Sequence, residues 1–341
     1  MGAQAFYRWL VRKYPNILSN CVEDASPVDP ATQNPNTLGW NDFDALYLDM
    51  NGIIFPNFQY TGKKTQNVEK ELFPKIDGSI IKMFNIVRPR KLLFIALDGV
   101  VPRAKQTQMR AQRYKNAIAL MDDIQGTNFQ SLKESLAAFE ANDPNIITPG
   151  TIFMDKLGRH LKSFIKHQQE SKTAWGNITI ILSDSSVPGE SEIKIMEFIK
   201  SQRQQPDYEP DRHHAIYGRE ANLVFLGLLT HENYFTVIRE CITQNTTRDY
   251  QFINLWVLRQ YLARDMNIDN DQDFNLERAI EDLVFICFAV GNNFLPHLPG
   301  FVILEGIIDL FINNYKNFHR EHGYLTTNSR VSISKFRAVF S

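Results

Sequence analysis

Ala45-Leu-Tyr-Leu-Asp49-Met-Asn-Gly52 decides the fold: a short apolar run, closed by an aspartate and then by a turn-forming Asn-Gly pair. Five residues are too few for a helix, and the run reads as a buried strand with an acid at its carboxyl end. The pattern recurs over Lys91–Asp98, ending Leu97-Asp98-Gly99, and over Asn177–Asp184, ending Leu182-Ser183-Asp184. His214–Tyr217 and Tyr234–Arg239 read as further strands, and the intervening segments have helical period. Such alternation predicts an α/β fold with a largely parallel central sheet and helices on both faces. In open sheets of this kind the functional crevice lies beyond the carboxyl ends of the strands, so the strand-end acids are expected to converge. A lone strand-end aspartate is ordinarily a cap or turn former; three in one chain call for more.

Around this core the chain is irregular in two places. Residues 24–38, rich in Pro, Asn, Asp and Thr, read as a surface loop, and Asn142–Thr151 as a break before a helix starting near Phe153. Asn275–Phe288 and Leu304–Arg320 have helical period, so the part from 254 to 341 is expected to be helical.

The 341 residues are 43% hydrophobic and 12% aromatic, enough for a large core. No apolar stretch approaches the length needed to span a bilayer, so no membrane partner is expected. Cys21, Cys241 and Cys287 lie far apart with no histidine at metal-ligand spacing. They read as reduced thiols of an intracellular protein, nuclear or cytoplasmic. A net charge of −1 gives no global attraction to a polyanion. One local patch exists, Arg103, Lys105, Arg110, Arg113 and Lys115 with no acid between them; a solvated helix face and a nucleic-acid contact both remain open readings.

Hydrolysis of a phosphodiester by two divalent ions needs several carboxylates around a pair of metals. Asp49, Asp98, Asp184, Glu190, Glu192 and Glu220 are the candidates, and hard oxygen donors of this type suit Mg²⁺ or Mn²⁺. Glu190 and Glu192, following Pro188-Gly189, can face one ion if the segment is not yet helical; the plainer reading is a helix start favoured by its dipole.

Seven stretches, in order, resemble the motifs of the Xrn 5′→3′ exoribonucleases. They are Met1-Gly-Ala-Gln-Ala-Phe-Tyr-Arg-Trp-Leu-Val-Arg-Lys-Tyr-Pro15, Tyr47-Leu-Asp-Met-Asn-Gly-Ile-Ile54, Phe84-Asn-Ile-Val-Arg-Pro-Arg90 and Asp98-Gly-Val-Val-Pro-Arg-Ala-Lys105. Ile147-Thr-Pro-Gly-Thr151, Ser183-Asp-Ser-Ser-Val-Pro-Gly-Glu-Ser-Glu192 and Gly291-Asn-Asn-Phe-Leu-Pro-His-Leu-Pro299 complete the series. The resemblance covers nearly the whole chain and implies one N-terminal nuclease-type domain over 1–341, with a flap-endonuclease-like (PIN-like) core. It implies seven carboxylates holding two Mg²⁺ ions, of which Asp49, Asp98, Glu190 and Glu192 match four. The family's Tyr-Gly-Leu-Asp-Ala-Asp-Leu is Tyr217-Gly-Arg-Glu-Ala-Asn-Leu223 here, which puts Glu220 and Asn222 at two aspartate positions. Gly-Asn-Asp-Phe-Leu-Pro becomes Gly291-Asn-Asn-Phe-Leu-Pro296, putting Asn293 at another. Two charges are thereby lost from the second metal's set, so at most one Mg (or Mn) ion is expected to be well held.

The resemblance also implies a pocket for a 5′-monophosphate. Lys105 and Arg113 match it, while Met109 stands for a glutamine and Gln112 for an arginine. Phe55 replaces the histidine that stacks on the first base. Gln4 and Ile152 replace a proline and a glutamate of the neighbouring motifs, whereas the apolar framework is intact. The expectation is a single-stranded-RNA-binding homologue, catalytically dead or severely impaired, that acts as a scaffold with protein partners. The alternatives are an active Mg-dependent 5′→3′ exoribonuclease degrading 5′-monophosphorylated RNA with an atypical ligand set, and a structural subunit that no longer meets RNA.

Overall fold

Every residue of Ala45–Asp49 is buried, and the strand is paired along both edges, as a continuous apolar run between two neighbours requires. The computed structural model describes residues 2–21, 43–60, 68–124, 144–171, 174–242, 248–267, 274–292, 295–299, 306–327 and 330–338. The expected loop at 24–38 and the position Asn293 lie outside the described residues. In chain order the elements are α1 (Gly2–Lys13), β1 (Leu18–Asn20), β2 (Ala45–Asp49), α2 (Asn51–Tyr60), α3 (Val68–Val87), β3 (Leu92–Ala96) and α4 (Arg103–Ile124). They continue with α5 (Ile152–Glu170), β4 (Thr179–Ser183), α6 (Ser191–Arg203), β5 (His213–Tyr217), α7 (Leu223–Leu229), β6 (Tyr234–Ile242) and β7 (Arg248–Asn254). The last are α8 (Leu255–Met266), α9 (Leu276–Ala289), α10 (Ile307–His322), β8 (Thr326–Thr327), β9 (Arg330–Val331) and α11 (Ile333–Ala338).

The chain divides into two compact units. The larger comprises Cys21–Tyr208 and Arg212–Arg219. Its strands run β5-β2-β3-β4, all parallel, with Ala45 opposite Leu92 and His214, and Leu92 opposite Thr179. Alternate side chains point to opposite faces. On one face Tyr47 and Phe94 meet Phe198 of α6, at ring-centroid distances of 6.5 and 4.8 Å. On the other, Leu46, Leu48, Leu93 and Ile95 are fully buried, so the sheet is covered on both sides. The expected strands at 91–98 and 177–184 are each realised as five residues, which leaves Asp98 and Asp184 just beyond the strand ends.

The Pro149-Gly150-Thr151 turn explains where α5 begins. Gly150 takes φ +88°, and Thr151 caps the helix by accepting from the Met154 N–H at 3.3 Å.

The smaller unit comprises Met1–Asn20, Glu209–Asp211 and Glu220–Ser341. Here β1, β7 and β6 pair antiparallel, helices α8 to α10 follow, and a short hairpin of β8 and β9 separates α10 from α11. Strands β1 and β7 were not foreseen. Their apolar content is low, and β1 has three residues, below what periodicity can register. Asp282 of α9 is fully buried. It accepts from Tyr315 Oη, the Leu325 and Thr326 N–H groups and Thr326 Oγ1, at 2.6–2.8 Å.

Candidate functional site at the carboxyl ends of the parallel strands

Asp49 closes β2 on the same face as Tyr47, the face that α6 covers, and so meets the amino end of that helix. The first residue of α6, Ser191, is 1% exposed. Its hydroxyl donates to Asp49 Oδ1 at 2.5 Å, and its N–H donates to Asp98 Oδ1 at 2.7 Å. Asp49 Oδ1 also accepts from the Asn51 N–H at 3.0 Å. The first N–H groups of a helix have no partner within it. Asp98 supplies one from the neighbouring loop, where the N-cap residue Glu190 makes no side-chain cap. The helix dipole favours both carboxylates there.

Glu190 faces elsewhere: its carboxylate is paired with the Lys105 ammonium at 2.7 Å. Glu192 lies in the first turn of α6, 6% exposed. The helix begins between the two glutamates, so Glu190 is still extended and Glu192 is in the first turn. Two loops are locked behind the cluster. The Gly99 N–H donates to Gly189 O and the Gly189 N–H to Val100 O, both at 2.9 Å. A Cβ on Gly99 would lie 1.8 Å from Val187 O, so the approach requires glycine, and Gly189 has φ +111°.

Asp184 departs from expectation. Its carboxylate does not join the others; it is paired with Lys162 at 2.8 Å and closes a turn on Ser186. The Lys162 and Ser186 hydrogen bonds hold it down to about 2. Lys194, which the sequence reading passed over, is 6% exposed and donates to Leu97 O and Asp184 O, at 2.8 and 3.0 Å. Burial lowers its pKa, against the pull of Asp98 and Asp184. Neither Ser191 nor Lys194 carries a signal in a single sequence beyond lying inside an acidic motif.

On α4, Lys105, Met109 and Arg113 are spaced by one turn and share the half-buried face. Arg113 Nη2 donates to Thr148 Oγ1 at 2.7 Å. Gln112, expected in the same pocket, lies seven residues from Lys105 and so along the same side, but is exposed, as are Arg103, Arg110 and Lys115. Phe55 is half-buried in α2. Glu220 and Asn222 belong to the smaller unit. Glu220 is exposed, and Asn222 precedes α7 without capping it through its side chain.

Oxygen donors of this kind suit Mg²⁺ or Mn²⁺. Ser191 engages Asp49 and Asp98, and Lys105 engages Glu190. Among the described residues no three acidic, histidine or cysteine side chains are grouped to hold an ion. No helix among them is long and apolar enough to cross a membrane.

Comparison with known proteins agrees with this core. Residues 1–241 match the family described as XRN 5'-3' exonuclease N-terminus, and residues 273–341 the Xrn1 helical domain. The chain is 39% identical to 5'-3' exoribonuclease 2 of Gallus gallus, over 99% of its own length and 41% of that protein. Identity is 38% to the Drosophila melanogaster homologue, over 100% of this chain and 44% of the relative. It is also 38% to the Arabidopsis thaliana protein, over 98% and 38%. The chain thus spans less than half the length of these relatives.

Proposed function

The chain belongs to the XRN 5'-3' exonuclease family, and we propose that it is an RNA-binding member whose nuclease chemistry is lost or severely impaired, acting as a scaffold for single-stranded RNA and protein partners. One observation carries this reading: two formal negative charges are missing from the ligand set that the family resemblance implies. Asn222 and Asn293 stand where the family resemblance calls for aspartates, and an amide oxygen brings no compensating charge. Loss of one side of a two-metal clamp costs orders of magnitude in rate. The exposed Arg103, Arg110 and Lys115 supply a basic face for the phosphate backbone.

A second reading, an active exoribonuclease with an atypical ligand set, is favoured by the retention of Asp49 and Asp98 at the strand ends and of Glu190 and Glu192 at the start of α6. Incubation with Mn²⁺ and 5′-monophosphorylated single-stranded RNA separates the two. The expected result is RNA binding that weakens with salt and with Lys105→Ala plus Arg113→Ala, without release of mononucleotides. Activity gained by Asn222→Asp together with Asn293→Asp supports the proposal; processive degradation by the unaltered protein overturns it.

A further inference from the structure

Ser191 and Lys105 do more than coexist with the acids. The Ser191 hydroxyl is almost wholly buried and directs its proton at Asp49 Oδ1, while its N–H takes Asp98 Oδ1. The Lys105–Glu190 pair is itself largely shielded, with 18% and 13% of the two side chains exposed. A buried carboxylate is tolerated only when donors or a cation answer it. Here the answering groups come from the chain: α6 provides the hydroxyl and the helix-end N–H, and α4 provides the ammonium.

We propose that Ser191 and Lys105 make the acid cluster a metal-independent clamp, in which the chain's own donors fasten the start of α6 to the ends of β2 and β3 and the start of α4 to the cap of α6, and thereby exclude a divalent ion. Ser191 is a positioning residue in this arrangement: its proton occupies a carboxylate oxygen that an ion needs free, and the lysine competes by charge. The inference rests on the reading of an impaired nuclease but concerns binding rather than turnover.

The test is Mn²⁺ binding to the full chain, followed by the loss of the free Mn²⁺ resonance in electron paramagnetic resonance, with thermal unfolding in EDTA and in millimolar Mn²⁺. The unaltered protein is expected to melt at the same temperature in both and to leave the Mn²⁺ signal unchanged. Ser191→Gly with Lys105→Met is expected to melt lower in EDTA, to recover in Mn²⁺, and to bind Mn²⁺ about tenfold or more tightly than the unaltered chain. If the double variant does not fold, Ser191→Ala alone keeps the helix-end N–H and is expected to give a smaller shift of the same sign. Mn²⁺ uptake and a raised melting temperature in the unaltered protein overturn the clamp, as do variants that gain no Mn²⁺ affinity. RNA degradation without Mn²⁺ uptake would instead overturn the functional reading and leave the clamp standing, whereas Mn²⁺ uptake without degradation does the reverse.

Discussion

Asp282 in the smaller unit and Asp49 in the larger are both buried carboxylates, held in different company. Asp282 stands alone among neutral donors, accepting four hydrogen bonds from Tyr315, Leu325 and Thr326. Asp49 shares Ser191 with a second acid, Asp98, and the adjoining Glu190 is answered by an ammonium. A solitary carboxylate ringed by neutral donors is a knot that fixes α9 to α10 and to the strand after it. A carboxylate gathered with others raises the energy of its neighbours, which is useful only where a cation or a substrate is to be met. Burial alone does not distinguish a structural acid from a functional one; the charge of the company does.

The sharpest way to break this contrast is to remove each acid. Asp282→Ala strands several buried donors and is expected to cost about 3–4 kcal/mol in urea unfolding. Asp49→Asn keeps an oxygen for Ser191 and Asn51 while relieving like-charge repulsion, and is expected to stay within about 1 kcal/mol of the unaltered protein. Equal losses at the two positions would erase the distinction. Next in size is Gly99→Ala, whose Cβ would meet Val187 O at 1.8 Å; about 1–3 kcal/mol is expected in the same assay. A neutral result would mean that the two loops behind the cluster give way freely.

The smallest effect tests the acid that left the cluster. Asp184 is held down to about 2 by Lys162 and Ser186, so its ion pair stabilises the fold above the ordinary aspartate range. That contribution fades as pH falls from about 4 toward 2. Lys162→Ala should therefore lower the melting temperature at pH 6 and make progressively less difference below pH 4. Because Lys162 is 63% exposed, the gap should be under about 1 kcal/mol and shrink with salt. A gap that persists at pH 2 would show that Asp184 owes nothing to this pair.

What the sequence made legible was local. Ala45–Asp49 could be read to the residue because burial on both faces imposes an unbroken apolar run. The proximity of Asp49 and Asp98 followed from their place at the carboxyl ends of strands in an open α/β sheet, and Pro-Gly-Thr at 149–151 announced the start of α5. Partners set by tertiary packing stayed hidden. Asp184, just past β4, meets Lys162 of α5, and Asp282, beside Glu281 in an amphipathic helix, looks like a solvent-facing acid until the backbone at 325–326 comes against it. Lys194 satisfies carbonyls at the ends of two strands, a requirement that no spacing rule encodes. Gln112 was placed in the pocket by motif position, and the 3.6-residue repeat does set it on the side of Lys105 and Met109, but its exposure was not legible from spacing.

The exchange of hydrogen bonds between the Gly99–Val100 and Gly189 backbones gives two distant stretches of sequence a shared fate. A change in the length of either strains the hydrogen bonds to the other, so the segment bearing Asp98 and the one bearing Glu190 are held in one register. Any inherited change on one side is tolerated only at the spacing the opposite side still permits.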